Sequence, residues 1–213
     1  MPEVHISGPS GRLEARFHPQ KNESAPVAII LHPHPKFGGT MNNKVVYNLH
    51  YCFFNLGFTC LRFNFRGVGK SEGEFDDGLG ELADAASALD FLQTHTPNSN
   101  SCWVIGFSFG SWIGMQLLMR RPEISGFVSI SPPANSYDFS FLAPCPSSGL
   151  IINGSLDSLV PPSAIKILSD RLKLQKGIQV SHKEIEGADH FFTNFEEEMT
   201  NAVNEYLTTR SDF

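Results

Sequence analysis

Short, almost uninterrupted apolar runs recur along the chain at Val27 to Leu31, Trp103 to Ile105, Phe127 to Ile130 and Leu150 to Ile152. Runs of this length with no polar alternation predict strands covered on both faces, as in a parallel sheet. Two further stretches, Phe58 to Phe65 and Ile178 to Ile185, alternate more and predict strands with one wetter face. Ahead of them Val4 and Ile6, then Leu13, Ala15 and Phe17, alternate with polar neighbours around a turn-forming GPSG. That pattern predicts an antiparallel hairpin at the edge of the sheet.

Helical periods fill the intervals at Asn42 to Asn55, Asp77 to Gln93, Phe109 to Arg120, Pro162 to Leu174 and Asn194 to Thr209. Leu79, Leu82, Ala86, Leu89 and Leu92 make the apolar stripe of the second. Phe195, Met199, Val203 and Tyr206 make that of the last, behind an Asn194 cap and an acidic first turn, Glu196 to Glu198, that suits the helix dipole. The third, GSWIGMQLLM, is apolar almost all round and is expected to be sunk in the middle of the protein. Strands alternating with helices predict an α/β fold in three layers, a mostly parallel central sheet with helices on both faces. In such sheets ligands sit beyond the carboxyl ends of the strands.

With 213 residues, one domain spanning 1–213 is the economical reading. Hydrophobic residues at 41 % and charged residues at 18 % describe an ordinary globular chain, neither disordered nor coiled-coil. A net charge of −6 gives no footing for binding nucleic acid or an anionic membrane surface. No apolar stretch approaches the ~18 residues of a membrane span, and MPEVHISGPSG lacks the basic flank and apolar run of a secretory signal. A soluble, unexported, cytoplasmic protein is expected. Cys52, Cys60, Cys102 and Cys145 follow neither a zinc-ligand spacing nor a disulfide framework, and are expected as reduced thiols.

GFSFG, Gly106 to Gly110, falls where the strand around Trp103 ends and the third helix begins. The string alone is weak; its placement is that of a nucleophile elbow, which holds a serine in a strained turn over the sheet edge. Ser108 is the expected nucleophile, with the Phe109 N–H at the helix N-terminus as one oxyanion donor. A serine needs a base and an acid to orient it, here in the order Ser, acid, His. Of the eight histidines only His182 and His190 follow Ser108, and His182 falls inside a strand. His190, in GADHFF, is in a loop beyond that strand and is the expected base. Asp157, in NGSLDSLVPP after the strand Leu150 to Ile152, is the preferred acid, with Asp138 its rival and Asp189 too close in sequence to His190. The second oxyanion donor is expected from LHPHPKFGGTM, where Pro33 and Pro35 cannot donate and His34, Lys36 and Phe37 remain open.

Other motifs fall short. His32 and His34 have no third ligand at a metal-binding spacing and are read as packing and loop hydrogen bonding. RGVGKSEG has the GKS of a phosphate loop but Asn64 where the first glycine belongs, and Glu72 breaks GxGxxG. No metal and no cofactor are called for. Phe107, Tyr137 and Phe191, with Phe37, Phe109, Phe139, Phe141 and Phe192, fall in or beside the loops that would wall a substrate pocket.

Taken in order, LHPHPKFGGTM, FNFRGVGKSEGEFD, GFSFG, LDSLVPP and GADHFF resemble the α/β-hydrolase superfamily over Pro26 to Arg210, in particular its small cap-less bacterial members near dienelactone hydrolases and short carboxylesterases. The resemblance implies a Ser108, Asp157 and His190 triad acting on small-molecule esters, thioesters or lactones. Two positions depart: dienelactone hydrolases use cysteine where this chain has Ser108, and the family's frequent aspartate before RGxGxS is Asn64. Cap domains usually enter before the strand leading to the acid; here that interval, Ser131 to Ser148, is 18 residues, a loop rather than a lid. Serine peptidase and acyltransferase chemistry use the same triad, and a non-catalytic binder the same fold. The pattern carries no signal for oligomeric state.

Overall fold

The computed structural model describes residues 3–210. Their elements run β1 (Glu3–Gly8), β2 (Gly11–His18), β3 (Val27–Leu31), α1 (Lys44–Asn55), β4 (Thr59–Phe63), α2 (Leu79–His95), β5 (Cys102–Phe107), α3 (Phe109–Arg120), β6 (Ile124–Ile130), β7 (Gly149–Gly154), α4 (Pro162–Lys173), β8 (Val180–Ile185) and α5 (Glu196–Thr208), with a single 3-10 turn at Pro35–Phe37. The strands form one eight-stranded sheet in the order β1-β2-β4-β3-β5-β6-β7-β8. β1 and β2 form the antiparallel edge hairpin, β2 pairs antiparallel with β4, and every pairing from β4 to β8 is parallel.

Side-chain alternation along the buried strands builds two cores. Val27, Ile29, Leu31 and Val104 pack with α2, α3 and α4 on one face. Ala28, Ile30, Trp103, Ile105 and Phe107 pack with α1 and α5 on the other. Because α1 follows β3 on one face and α3 follows β5 on the opposite face, the loops leaving these adjacent strands part from each other. This opens the crevice in which α/β sheets take ligands. Residues 131–148, between β6 and β7, form turns without helix or strand, so no cap covers that crevice.

Three local expectations are corrected. β4 has no wetter face: all five residues are buried, because Leu61 and Phe63 pack in the core under α2 and Cys60 packs in the core under α1. Its Arg62 is accommodated by donating to Met41 O and Asn42 Oδ1. Leu79 is exposed rather than part of the α2 stripe, since the helix opens at that residue and its buried apolar side chains begin with Leu82. Asn194 does not cap α5. It takes a left-handed φ of 65°, and the cap position passes to Phe195, which makes no side-chain cap bond.

The RGVGKSEG segment, which holds no phosphate-loop pattern, has a structural task at the end of β4. Arg66 N–H and Nε donate to Asp84 Oδ2 at 2.9 and 3.0 Å, and Nη2 donates to Oδ1 at 2.8 Å. The Asp84 side chain is wholly buried in α2, so the pair ties this loop to the helix out of water. The bond to Asp84 first of all raises the Arg66 pKa. Removing one partner strands a buried charge, whereas removing both does not. Asp84→Ala is expected to destabilise the fold by about 3–5 kcal/mol in urea unfolding, and Arg66→Met with Asp84→Leu to recover much of that loss. A double variant no more stable than the single one would contradict this reading of the pair.

Candidate active site

The turn between β5 and α3 holds Ser108 at φ 53° and ψ −120°. An L-residue adopts such a φ at a cost of roughly 1–3 kcal/mol, so the surroundings must enforce it. Ser108 N–H donates to Ile130 O on β6 at 2.8 Å, and Ser108 O accepts from Ser111 N–H at 2.8 Å and Ser111 Oγ at 2.6 Å. The flanking glycines are needed for close approach. A Cβ at Gly106 would run into the Gly110 and Ser111 backbone, and one at Gly110 into the Leu31 and His32 carbonyls. α3 therefore starts directly beneath the serine. Phe109 N–H, the first of the helix, has no acceptor among the described residues.

His190 lies beyond β8 and Asp157 beyond β7, two adjacent strands of the same rim. His190 Nε2 is 3.1 Å from Ser108 Oγ, and His190 Nδ1 is 2.7 Å from Asp157 Oδ2. An ionised carboxylate only accepts, so the network assigns the proton of the neutral ring to Nδ1 and leaves the Nε2 lone pair facing the hydroxyl. Asp157 Oδ1 accepts from Leu159 and Val160 N–H at 2.9 and 2.8 Å, which fixes the carboxylate's orientation. Asp157 and His190 are both buried, while Ser108 is half-exposed. Asp138 and Asp189 are occupied elsewhere. Asp138 accepts from Ser140 N–H and Oγ within its own exposed loop, and Asp189 from Phe191 N–H, Thr193 N–H and Thr193 Oγ1.

The loop after β3 separates the three donor candidates. Lys36 N–H donates to His34 Nδ1 at 3.2 Å and Phe37 N–H to His34 O at 3.1 Å, whereas His34 N–H has no acceptor among the described residues. His32 anchors the loop from below. Phe65 N–H donates to its Nε2 at 3.0 Å, so the ring's own proton is on Nδ1, which donates to Pro33 O at 2.7 Å. Both nitrogens are thereby engaged within the protein. The ring is fully buried, and burial pushes its pKa down to about 4.

Ser108, Phe109, His190, His34, Phe37, Tyr137 and Phe191 line one cavity of about 460 Å³ at this rim. Leu159 and Val160 close its other side, next to Asp157, and carry no chemical signal beyond their place in LDSLVPP. Phe107 is not a wall: its side chain points into the core from the adjoining strand end and is fully buried, with its ring 5.2 Å from that of His190. Phe139 and Phe192 are core residues, and Phe141 packs against the core. A second cavity of about 460 Å³ lies between α1 and α5 and holds none of the predicted site residues.

The α/β-hydrolase fold family matches residues 29–147, more than half of the chain. Protein RP471 of Rickettsia prowazekii (strain Madrid E), described as uncharacterized, is 52 % identical over 98 % of this chain and 90 % of its own length. Among solved structures, protein ATU1826 of Agrobacterium tumefaciens, of unknown function, is 61 % identical with a TM-score of 0.95, covering 97 % of this chain and 95 % of that one. XC6422 from Xanthomonas campestris, described as an α/β serine hydrolase without a lid, is 31 % identical with a TM-score of 0.87, over 96 % of this chain and 92 % of that one. The chain belongs to the α/β-hydrolase fold family.

Two outcomes are expected from this geometry. Gly110→Ala forces the start of α3 away from the carbonyls of Leu31 and His32, and should lower thermal stability while displacing Ser108; an unaltered melting temperature would contradict the close approach. The second concerns pH. The folded protein holds His32 neutral with its pKa near 4 against an ordinary 6.5, so between these values the unfolded chain binds more protons. Stability is therefore complete above the ordinary histidine range and declines as pH falls toward 4, by on the order of 3 kcal/mol from this residue. His50, pushed down to about 3 by burial and then by Arg62, acts in the same direction. Urea unfolding of wild type and His32→Asn across this window measures the difference, and equal slopes for the two proteins would exclude His32 as a contributor.

Proposed function

We propose that the protein is a serine hydrolase that cleaves small carboxylic esters, thioesters or lactones through an acyl-enzyme on Ser108. The observation that carries the reading is the continuous hydrogen-bonded line from Ser108 Oγ through His190 to Asp157, at 3.1 and 2.7 Å. Ser108 Oγ attacks the carbonyl carbon as its proton passes to His190 Nε2. Asp157 holds the imidazole in the required tautomer and stabilises the imidazolium. Collapse of the tetrahedral adduct breaks the bond to the leaving group, which takes the proton from His190. Water then repeats the sequence on the acyl-serine, releasing the acid and restoring the hydroxyl.

Charge on the carbonyl oxygen is met by the N–H of Phe109 and, by elimination among the loop donors, that of His34. Lys36 and Phe37 already spend theirs within the turn. Membership in the family and the absence of a cap support access for small substrates. The separated, buried cysteines suit a reducing cytoplasm.

A fluorophosphonate probe is expected to label the wild type stoichiometrically and Ser108→Ala not at all, with ester turnover of that variant lower by 10³-fold or more. No labelling of the wild type would remove the enzyme reading and leave a binding protein. The His34 donor has its own test, because φ at His34 is −57°, an angle proline adopts without strain. His34→Pro deletes the N–H and is expected to lower kcat by about 10²–10³-fold, while His34→Ala keeps it and largely keeps kcat. Equal losses in the two variants would assign the effect to the side chain instead.

A further inference from the structure

Three exposed apolar side chains stand at the mouth of the Ser108 cavity, each from a different loop. Phe37, after β3, is 86 % exposed; Leu159, after β7, is 57 % exposed; Phe191, after β8, is 47 % exposed; and all three also line the cavity. One such residue on a surface is ordinary, but convergence of three on one opening gives the cavity that holds the serine an apolar rim.

The cavity walls supply no cationic side chain: among the described residues, none of the side chains lining the cavity is a lysine or an arginine. Lys36 precedes Phe37, but its ammonium lies 4.4 Å above the Phe75 ring, engaged there as a cation–π contact. Asp77 acts electrostatically on both His34 and Tyr137, Glu81 on Tyr137, and Asp189 adjoins His190. Burial, then the Lys36 charge, lowers the His34 pKa against the opposing pull of Asp77. Burial, then Asp77 and Glu81, raises that of Tyr137. Both walls are therefore uncharged at neutral pH. A carboxylate or phosphate entering here would lose water and meet no lysine or arginine among the lining side chains.

Resting on the hydrolase reading above, we propose that the substrate is an uncharged ester whose apolar arm leaves the cavity across Phe37, Leu159 and Phe191, and that esters whose arm carries a carboxylate or phosphate are rejected.

The experiment compares kcat/KM for p-nitrophenyl acetate, butyrate, hexanoate and octanoate with that for p-nitrophenyl hydrogen adipate, which has the hexanoate chain length and a terminal carboxylate. Fluorophosphonate labelling of each variant runs in parallel. For the wild type, kcat/KM is expected to rise about threefold per added methylene until the chain clears the rim. The adipate ester is expected to fall about tenfold or more below the hexanoate. Phe37→Ala should flatten the rise with chain length, and Leu159→Arg should narrow the adipate gap by supplying the missing cation. A wild type that turns over adipate as fast as hexanoate, or esters of every length equally, overturns the proposal while the labelled serine leaves the hydrolase reading standing. A wild type that neither labels nor turns over any ester removes the hydrolase reading, and this proposal with it.

Discussion

The backbone at Ser108 is the constraint on which the site depends. A serine at φ 53° is held there only because α3 starts under it without a Cβ at Gly106 or Gly110, and because Ile130 O and Ser111 secure both sides of the turn. Relaxing that turn would swing Oγ away from His190. It would also turn the free N–H of Phe109 away from the point where charge develops in the proposed reaction. A local cost of roughly 1–3 kcal/mol is borne by the two packed faces of the sheet, whose strands place the other groups on the same rim.

Each remaining group is held by a neighbour with no part in the chemistry. Asp157 is oriented by the N–H groups of Leu159 and Val160, and those two side chains also form the aliphatic wall of the cavity. The loop that contributes His34 is pinned from below by His32, which bonds Phe65 beyond β4. The Arg66–Asp84 pair then ties that region to α2. Orientation and access thus come from short loops fixed at several points, without a mobile lid, which accords with turns alone between β6 and β7.

Much of this was legible in the order of residues because the signals were local. Continuous apolar runs marked the strands buried on both faces, and GFSFG at a strand-to-helix junction marked the elbow. Where a neighbour distant in sequence decided the outcome, pattern reading failed. Alternation in β4 implied a wet face that the helices on both sides of the sheet cover, and Asn194 looked like a cap until its left-handed conformation passed that position to Phe195. Proposing His34 over Lys36 and Phe37 as a donor rests on the hydrogen bonds of the 3-10 turn, which no spacing rule supplies. Phe107 shares its motif with Ser108, but strand alternation sends its side chain into the core.

The proposed chemistry requires a covalent intermediate on one named oxygen, and that is open to direct observation. Rapid mixing of the protein with a chromogenic ester, followed by acid quench and intact-mass measurement, reads both the released alcohol and the protein-bound acyl group. The expected result is a burst approaching one equivalent of alcohol per chain, with the acyl mass on the peptide that contains Ser108. Alcohol release during turnover with neither a burst nor acyl mass at Ser108, even under conditions that slow deacylation, would contradict acyl transfer through this residue.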